Sequence, residues 1–170
     1  NFKKADKIID IQEKYLVPGF IDSHLHIESS HLTPYHFAEA IIPKGTTTII
    51  ADPHEICNAL GEEGLNYMLK ASENLPMNQY FLVPSCIPSV MKLENTGAEF
   101  DADLVDKLLE KDRILGLGEV MDYIGVIQND KLEQDHEIGD FFVWFLPVLL
   151  GVQYSCDTLS PISREKDNTF

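Results

Sequence analysis

The sequence predicts an α/β protein built from successive βα units, and three observations support this fold class. Short apolar or β-branched runs alternate with amphipathic runs at a spacing of about 30 residues, which is typical of parallel βα units. The apolar fraction is 44% and the charged fraction 24%, so a globular core is expected. Titratable side chains follow the ends of the predicted strands, which is the edge where (β/α)8 barrels carry their chemistry.

The first βα unit is marked by turn and capping residues. Residues 20–25 begin with Phe20 and Ile21 directly after a Pro-Gly turn, which predicts a short buried strand. Thr33 and Pro34 predict a helix start, because a threonine hydroxyl caps a helix and proline fits its first position. Pro43 and Gly45 predict the end of that helix.

Three further strands and two helices continue the alternation. The predicted strands combine β-branched and apolar residues, which suit a buried sheet. The predicted helices carry leucine or methionine on one face at helical spacing. The strands are residues 46–51, 79–83 and 114–117, and the helices are residues 61–71 and 101–111.

The two ends of the chain do not continue this pattern. Residues 7–17 are short and β-like, with three isoleucines before a polar break. A closed eight-unit barrel needs about 250 residues, and the 170-residue chain shows only the first four units. Either the sheet is an open α/β layer or the chain is part of a longer protein, and we favour the second interpretation.

Charge and cysteine content restrict the partners and the compartment. The net charge of −15 repels phosphate backbones, so we expect no nucleic-acid partner, and solubility is the simplest role of the charge. The three cysteines are an odd number and lack CxxC spacing, which favours a reducing, cytoplasmic setting.

Nothing in the sequence predicts a membrane segment. Residues 1–12 lack the apolar stretch of a signal peptide. The most apolar run, residues 141–152, is interrupted by Pro147 and falls short of the roughly 20 residues that a spanning helix needs. Open strand edges of a partial barrel would favour self-association, so a homo-oligomer is an expected state.

Two histidines and a glutamate are the candidate metal ligands. His24 and His26 stand two positions apart at the end of the first predicted strand, so their side chains point the same way. Asp22 lies two residues before His24 on the same side of the strand, where it could be a further metal ligand or could hydrogen-bond to one of the ligands. Glu119 follows the fourth strand, and its two carboxylate oxygens could bridge two metal ions. The alternatives are exposed loop histidines and a solvated loop glutamate.

The segment Asp52-Pro53-His54-Glu55 groups three titratable side chains after the second strand. His54 could move protons near neutral pH, and Asp52 or Glu55 could orient it or accept a proton. The alternative is a turn whose carboxylates begin a helix. The residues by themselves leave these two interpretations equal.

Four motifs at the strand ends resemble those of the adenine deaminase family, within the amidohydrolase superfamily. They are PGFIDSHLHIESS, GTTTIIADPHEICN, YFLVPSCIPS and GLGEVMDYIGVI, and the resemblance covers residues 15–130. It implies a metal-binding (β/α)8 barrel with a small β-sandwich. We therefore expect a sandwich remnant in residues 1–17, a partial TIM-type barrel in residues 18–130, and a divergent, partly disordered tail in residues 131–170.

The resemblance also implies a reaction and a set of site residues. The reaction is the metal-dependent hydrolysis of adenine to hypoxanthine and ammonia, a step of purine salvage. The metal centre would hold two divalent ions, Mn²⁺ or Fe²⁺, although imidazole and carboxylate ligands suit Zn²⁺ as well. The implied metal ligands are His24, His26 and Glu119, the implied catalytic residues are Asp52, His54 and Glu55, and the implied substrate-binding residues are Glu28 and Ser29.

Two rival interpretations stay open at this point. A dihydroorotase-like or deacetylase-like amidohydrolase also begins with PGFID and two histidines, but the DPHE and GEVM motifs argue against it. A catalytically inactive piece with a structural or binding role is the other rival, because the later strand-end ligands of the family are not recognisable. We expect the 170 residues alone to bind metal poorly and to be inactive.

Overall fold

Four parallel strands form one sheet in the computed structural model, which describes residues 6–90 and 93–122. The strands lie side by side in sequence order, as successive βα units require. They are β1 (Phe20–Leu25), β2 (Thr46–Ala51), β3 (Asn78–Val83) and β4 (Ile114–Leu117). The predicted α/β class is confirmed, and the sheet is consistent with part of a TIM-type barrel.

The helices connect these strands. They are α1 (Pro34–Ile41), α2 (His54–Leu60), α3 (Glu62–Ala71) and α4 (Ala102–Leu109). Short 3-10 turns cover Glu28–Ser30 and Ile42–Lys44. The Thr33 hydroxyl caps α1 by accepting the backbone N–H of His36 at 3.4 Å, which confirms the predicted helix start.

Helix α2 was not predicted as an element of its own. It begins at His54, so the DPHE segment follows β2 directly and contains the start of a helix. Gly61 joins α2 to α3 with a φ of +63°, a conformation that glycine adopts without strain. A side chain at Gly64 would meet the backbone carbonyl of Ile56, so the two helices pack closely. The predicted helix at residues 61–71 is confirmed as α3.

The core lies between the sheet and the helices. Ile49 of β2 and Phe81 of β3 are fully buried, as are Leu65 of α3 and Leu108 of α4. Burying each such side chain contributes about 1.5–3 kcal/mol. The strands and helices are thereby held together below the edge at which the strands end.

The amino-terminal segment differs from the prediction. Residues 7–17 contain a turn closed by the Lys14 N–H and the Ile11 carbonyl at 3.0 Å, but no strand. The predicted β-like segment is therefore wrong, because a strand requires a partner for its backbone groups. A sandwich remnant in residues 1–17 stays a prediction.

The predictions for the carboxyl-terminal part, residues 123–170, lie outside the described residues, and with them the divergent tail and the apolar run at 141–152. Within residues 6–90 and 93–122, no helix has both the length and the apolar character needed to cross a membrane.

Candidate active site

Strand β1 delivers two imidazoles to the carboxyl edge of the sheet. His24 lies near the end of the strand and His26 just after it, and their ring centroids are 5.3 Å apart in an edge-to-face arrangement. The alternation of strand side chains brings both to the same side, as predicted. Asp22 accepts the backbone N–H of His24 at 3.3 Å, so it supports the strand end.

Glu119 follows β4, the strand at the opposite edge of the sheet, and its carboxylate lies close to both imidazoles. Its Oε1 is 3.4 Å from His26 Nε2 and its Oε2 is 4.0 Å from His24 Nε2. One ligand atom from each residue lies within 4.8 Å of the other two. Two imidazole nitrogens and one carboxylate form a donor set that suits Mn²⁺, Fe²⁺ or Zn²⁺, so these residues fit a divalent ion.

Asp52 and Ser85 hold the backbone of Glu119. The N–H of Glu119 donates to Asp52 Oδ2 at 3.0 Å, and the Ser85 hydroxyl donates to the carbonyl of Glu119 at 2.8 Å. A side chain at Gly118 would clash with the carboxylate of Asp52. The glycine of the GEVM motif therefore allows the fourth strand to approach the second.

Asp52 is fully buried at the end of β2. Burial raises the pKa of its carboxyl to about 6, although the N–H of Glu119 opposes this rise. In the part of the chain that the structure describes, Asp52 Oδ1 has no hydrogen-bond partner. A buried carboxylate oxygen without a donor is costly unless positive charge is near, which agrees with a cation site at this edge.

Glu55 contacts the ring nitrogen of His26 that faces away from Glu119. Glu55 Oε2 lies 3.1 Å from His26 Nδ1, while the Ser29 hydroxyl donates to Glu55 Oε1 at 3.3 Å. Burial lowers the pKa of His26, but the carboxylates of Glu55, Asp52 and Glu119 together raise it above its usual value. A carboxylate on one ring nitrogen orients the other nitrogen, as in many metal-binding histidines.

The two predicted substrate-binding residues lie beside helix α2. Glu28 Oε1 accepts the backbone N–H of Ile56 at 3.3 Å, and burial raises the pKa of this glutamate. Ser29 supports Glu55 as described above. Both residues thus fix the start of α2, and a contact of either with a substrate stays a prediction.

His54 is buried and pairs with a serine that the sequence analysis missed. Its Nε2 lies 2.8 Å from Ser89 Oγ, and burial lowers the pKa of its ring. His54 and Ser89 line an open groove of about 340 Å³ together with Glu55, Asn58, Glu94 and Asn95. Ser85 and Ser89 follow the third strand, so the strand-end rule that selected the other residues could have found both serines.

A parallel sheet with imidazoles and carboxylates at its carboxyl edge agrees with the amidohydrolase class of proteins, and the chain belongs to the amidohydrolase family, whose model matches residues 15–131. Family membership implies a divalent metal, and His24, His26 and Glu119 form a group that could hold one.

Several curated relatives carry the name adenine deaminase. The chain is 53% identical to that of Thermosipho melanesiensis over 132 residues, which are 76% of this chain and 23% of the relative. It is 48% identical to that of Clostridium acetobutylicum over 128 residues, 75% of this chain and 22% of the relative. The chain therefore spans less than a quarter of the length of these relatives.

Proposed function

We propose that this chain supplies part of the active site of a metal-dependent adenine deaminase, which converts adenine and water to hypoxanthine and ammonia. The observation that carries the proposal is the meeting of His24, His26 and Glu119 above the sheet. The resemblance to relatives named adenine deaminase supports adenine as the small-molecule substrate. The proposed setting is purine salvage in the cytoplasm.

His24, His26 and Glu119 would hold the divalent metal. Mn²⁺ or Fe²⁺ is the proposed metal, and the same donors accept Zn²⁺. The chemistry that a bound divalent ion would supply is a lowered pKa for a water molecule, which would make that water a nucleophile near neutral pH.

The side chains around the ligands would divide the remaining work. The oxygen of water bonds to C6 of adenine and the exocyclic C6–N bond breaks. One proton of this water stays on hypoxanthine, and the other must reach the departing amine, which leaves as ammonia. Because burial lowers the pKa of His54, its ring is neutral near pH 7 and can accept and return that proton. Asp52 and Glu55 would act beside it by holding Glu119 and His26 in position.

The proposal is tested by ammonia release from adenine with added Mn²⁺. The chain is assayed as printed and also as a chimera, in which it replaces the matching segment of the Thermosipho melanesiensis relative. We expect the chimera to deaminate adenine. The variant His26→Ala should abolish activity, whereas His36→Ala, a control at an exposed histidine on α1, should retain it.

Two results would contradict the proposal. A folded chimera that hydrolyses dihydroorotate or an N-acetylated sugar but not adenine would favour a different amidohydrolase. Equal activity of the His26→Ala and His36→Ala variants of the chimera would show that His26 is not part of an essential metal centre. Robust activity of the 170-residue chain alone would leave the proposed reaction intact and refute the expectation that this length is inactive.

A further inference from the structure

The backbone around Glu119 is held by side chains that follow two other strands. Just before it, the N–H of Gly118 still donates to the carbonyl of Val83 at 2.6 Å, as in a paired strand. At Glu119 itself, the N–H donates to Asp52 Oδ2 at 3.0 Å, and the carbonyl accepts the hydroxyl of Ser85 at 2.8 Å. Side chains that follow β2 and β3 thus take the place of backbone partners where β4 has ended.

The hydrogen bond from Ser85 has one possible direction. A carbonyl oxygen carries no hydrogen, so the serine hydroxyl must donate. The same hydroxyl lies 3.7 Å from Cys86 Sγ, but sulfur is a weak acceptor, and the shorter contact with the carbonyl of Glu119 is the stronger one. Ser85 is 6% exposed, so water has little room to replace its hydroxyl as the partner of that carbonyl.

The side chain of Glu119 depends on this backbone for its position. Its side chain is 44% exposed, so surrounding atoms restrict the carboxylate less than they would in a core. Its oxygens nevertheless lie 3.4 Å from His26 Nε2 and 4.0 Å from His24 Nε2, although both histidines come from the opposite edge of the sheet. The carboxylate can reach them because the backbone that carries it is fixed in place.

We propose that Ser85 is a positioning residue for Glu119, whose hydrogen bond keeps the carboxylate directed at His24 and His26. Ser85 acts through the backbone of Glu119, and Asp52 acts in the same way on the neighbouring N–H. The consequence for metal binding rests on the proposed function. The hold on the backbone of Glu119 does not, because it is made by residues of this chain alone.

The test removes the hydroxyl and measures metal affinity and backbone protection in the chimera. Ser85→Ala should lower the affinity for Mn²⁺ about 10-fold in isothermal titration, as expected when a partner that orients a ligand is lost. Before Mn²⁺ is added, hydrogen exchange read by mass spectrometry should be faster in the peptide that contains Glu119. Ser72→Ala is the matched control, because Ser72 is 4% exposed and its hydroxyl also donates to a backbone carbonyl, that of Leu69, at 2.9 Å. It should leave both quantities unchanged.

The matched pair separates positioning from a general loss of packing. Equal Mn²⁺ affinities of Ser85→Ala and Ser72→Ala would overturn the inference. If Ser85→Ala does not fold, Ser85→Cys takes its place, because a thiol is similar in size but a weak donor, and unchanged affinity in that variant would overturn it as well. A chimera that loses Mn²⁺ affinity with Ser85→Ala but does not deaminate adenine would reject the proposed function while the positioning by Ser85 stands.

Discussion

The two middle strands and the two outer strands of the sheet have different tasks. Ile49 of β2 and Phe81 of β3 are 0% exposed, whereas Phe20 of β1 is 60% exposed and Leu115 of β4 is 53% exposed. The middle strands therefore supply most of the buried apolar area of the sheet. The outer strands supply the proposed metal ligands. Stability and chemistry thus come mainly from different strands of the same sheet.

The distance between the outer strands makes this division informative. Adjacent strands lie about 4.8 Å apart, so β1 and β4 would be roughly 14 Å apart in a flat sheet. Yet His26 Nε2 and Glu119 Oε1 are 3.4 Å apart. The side chains close this gap by reaching inward over the ends of β2 and β3, as they do at the rim of a barrel. Asp52, at the end of β2, lies between them and holds Glu119.

The largest expected effect is a loss of stability when a buried side chain of a middle strand is shortened. Phe81→Ala should lower the free energy of unfolding by about 3–5 kcal/mol, because it removes a fully buried ring. Phe20→Ala on the outer strand should change it by less than about 0.5 kcal/mol. Urea unfolding followed by circular dichroism measures both. Equal losses in the two variants would show that the outer strand is as well packed as the middle one.

The next effect concerns the contact between the fourth strand and Asp52. Gly118→Ala should lower the free energy of unfolding by about 1–3 kcal/mol, because the added methyl group meets the carboxylate of Asp52. It should also displace Glu119 and weaken the binding of Mn²⁺ by the chimera. Leu115→Ala on the exposed side of the same strand is the control, and both quantities should stay near those of the unsubstituted chain. Unchanged Mn²⁺ binding in Gly118→Ala would contradict the role assigned to this contact.

The third expected effect is on the affinity for Mn²⁺, through the contact of Glu55 with the proposed ligand His26. Glu55→Gln removes the charge that orients His26, so the affinity for Mn²⁺ should fall about 10–100-fold. Isothermal titration of the chimera, in which the segment lies in a complete protein, with Mn²⁺ measures the change. Glu63→Gln, at an exposed position of α3, makes the same substitution away from the site and should have no effect. If both variants bind alike, Glu55 does not support a metal ligand.

The smallest effect is a pH dependence at the ion pairs that join α3 to α4 and the turn before β4. Hydrogen bonds from Lys111 and Lys107 lower the pKa of Glu62, so its contribution to stability is complete above the unfolded carboxyl pKa of about 4.3. The contribution is lost as pH falls through the lower folded pKa. Because the pair is partly exposed, it amounts to less than about 1 kcal/mol. Unfolding free energies of the unsubstituted chain and Glu62→Gln should differ at pH 7 and converge near pH 2; a constant difference would contradict this origin.

The sequence by itself determined most of the strands and helices and the direction of the first two proposed metal ligands. The bounds of β1, β2 and β4 and the start of α1 agree with the predictions. These are local signals: a run of apolar residues, a capping threonine, a proline at the first helical position. The alternation of a strand likewise brings His24 and His26 to one side whatever the rest of the chain does.

Only the tertiary structure decided which side chains support one another. Asp52 bonds to Glu119 across 67 positions, Ser89 to His54 across 35, and Glu55 to His26 across 29. No periodicity or capping rule encodes such partners, because they depend on how loops pack once the strands are paired. The same reason explains residues 7–17, whose composition favours a strand but whose backbone has no neighbouring strand among the described residues. Local propensity specifies what a segment can become, and its neighbours in space decide what it is.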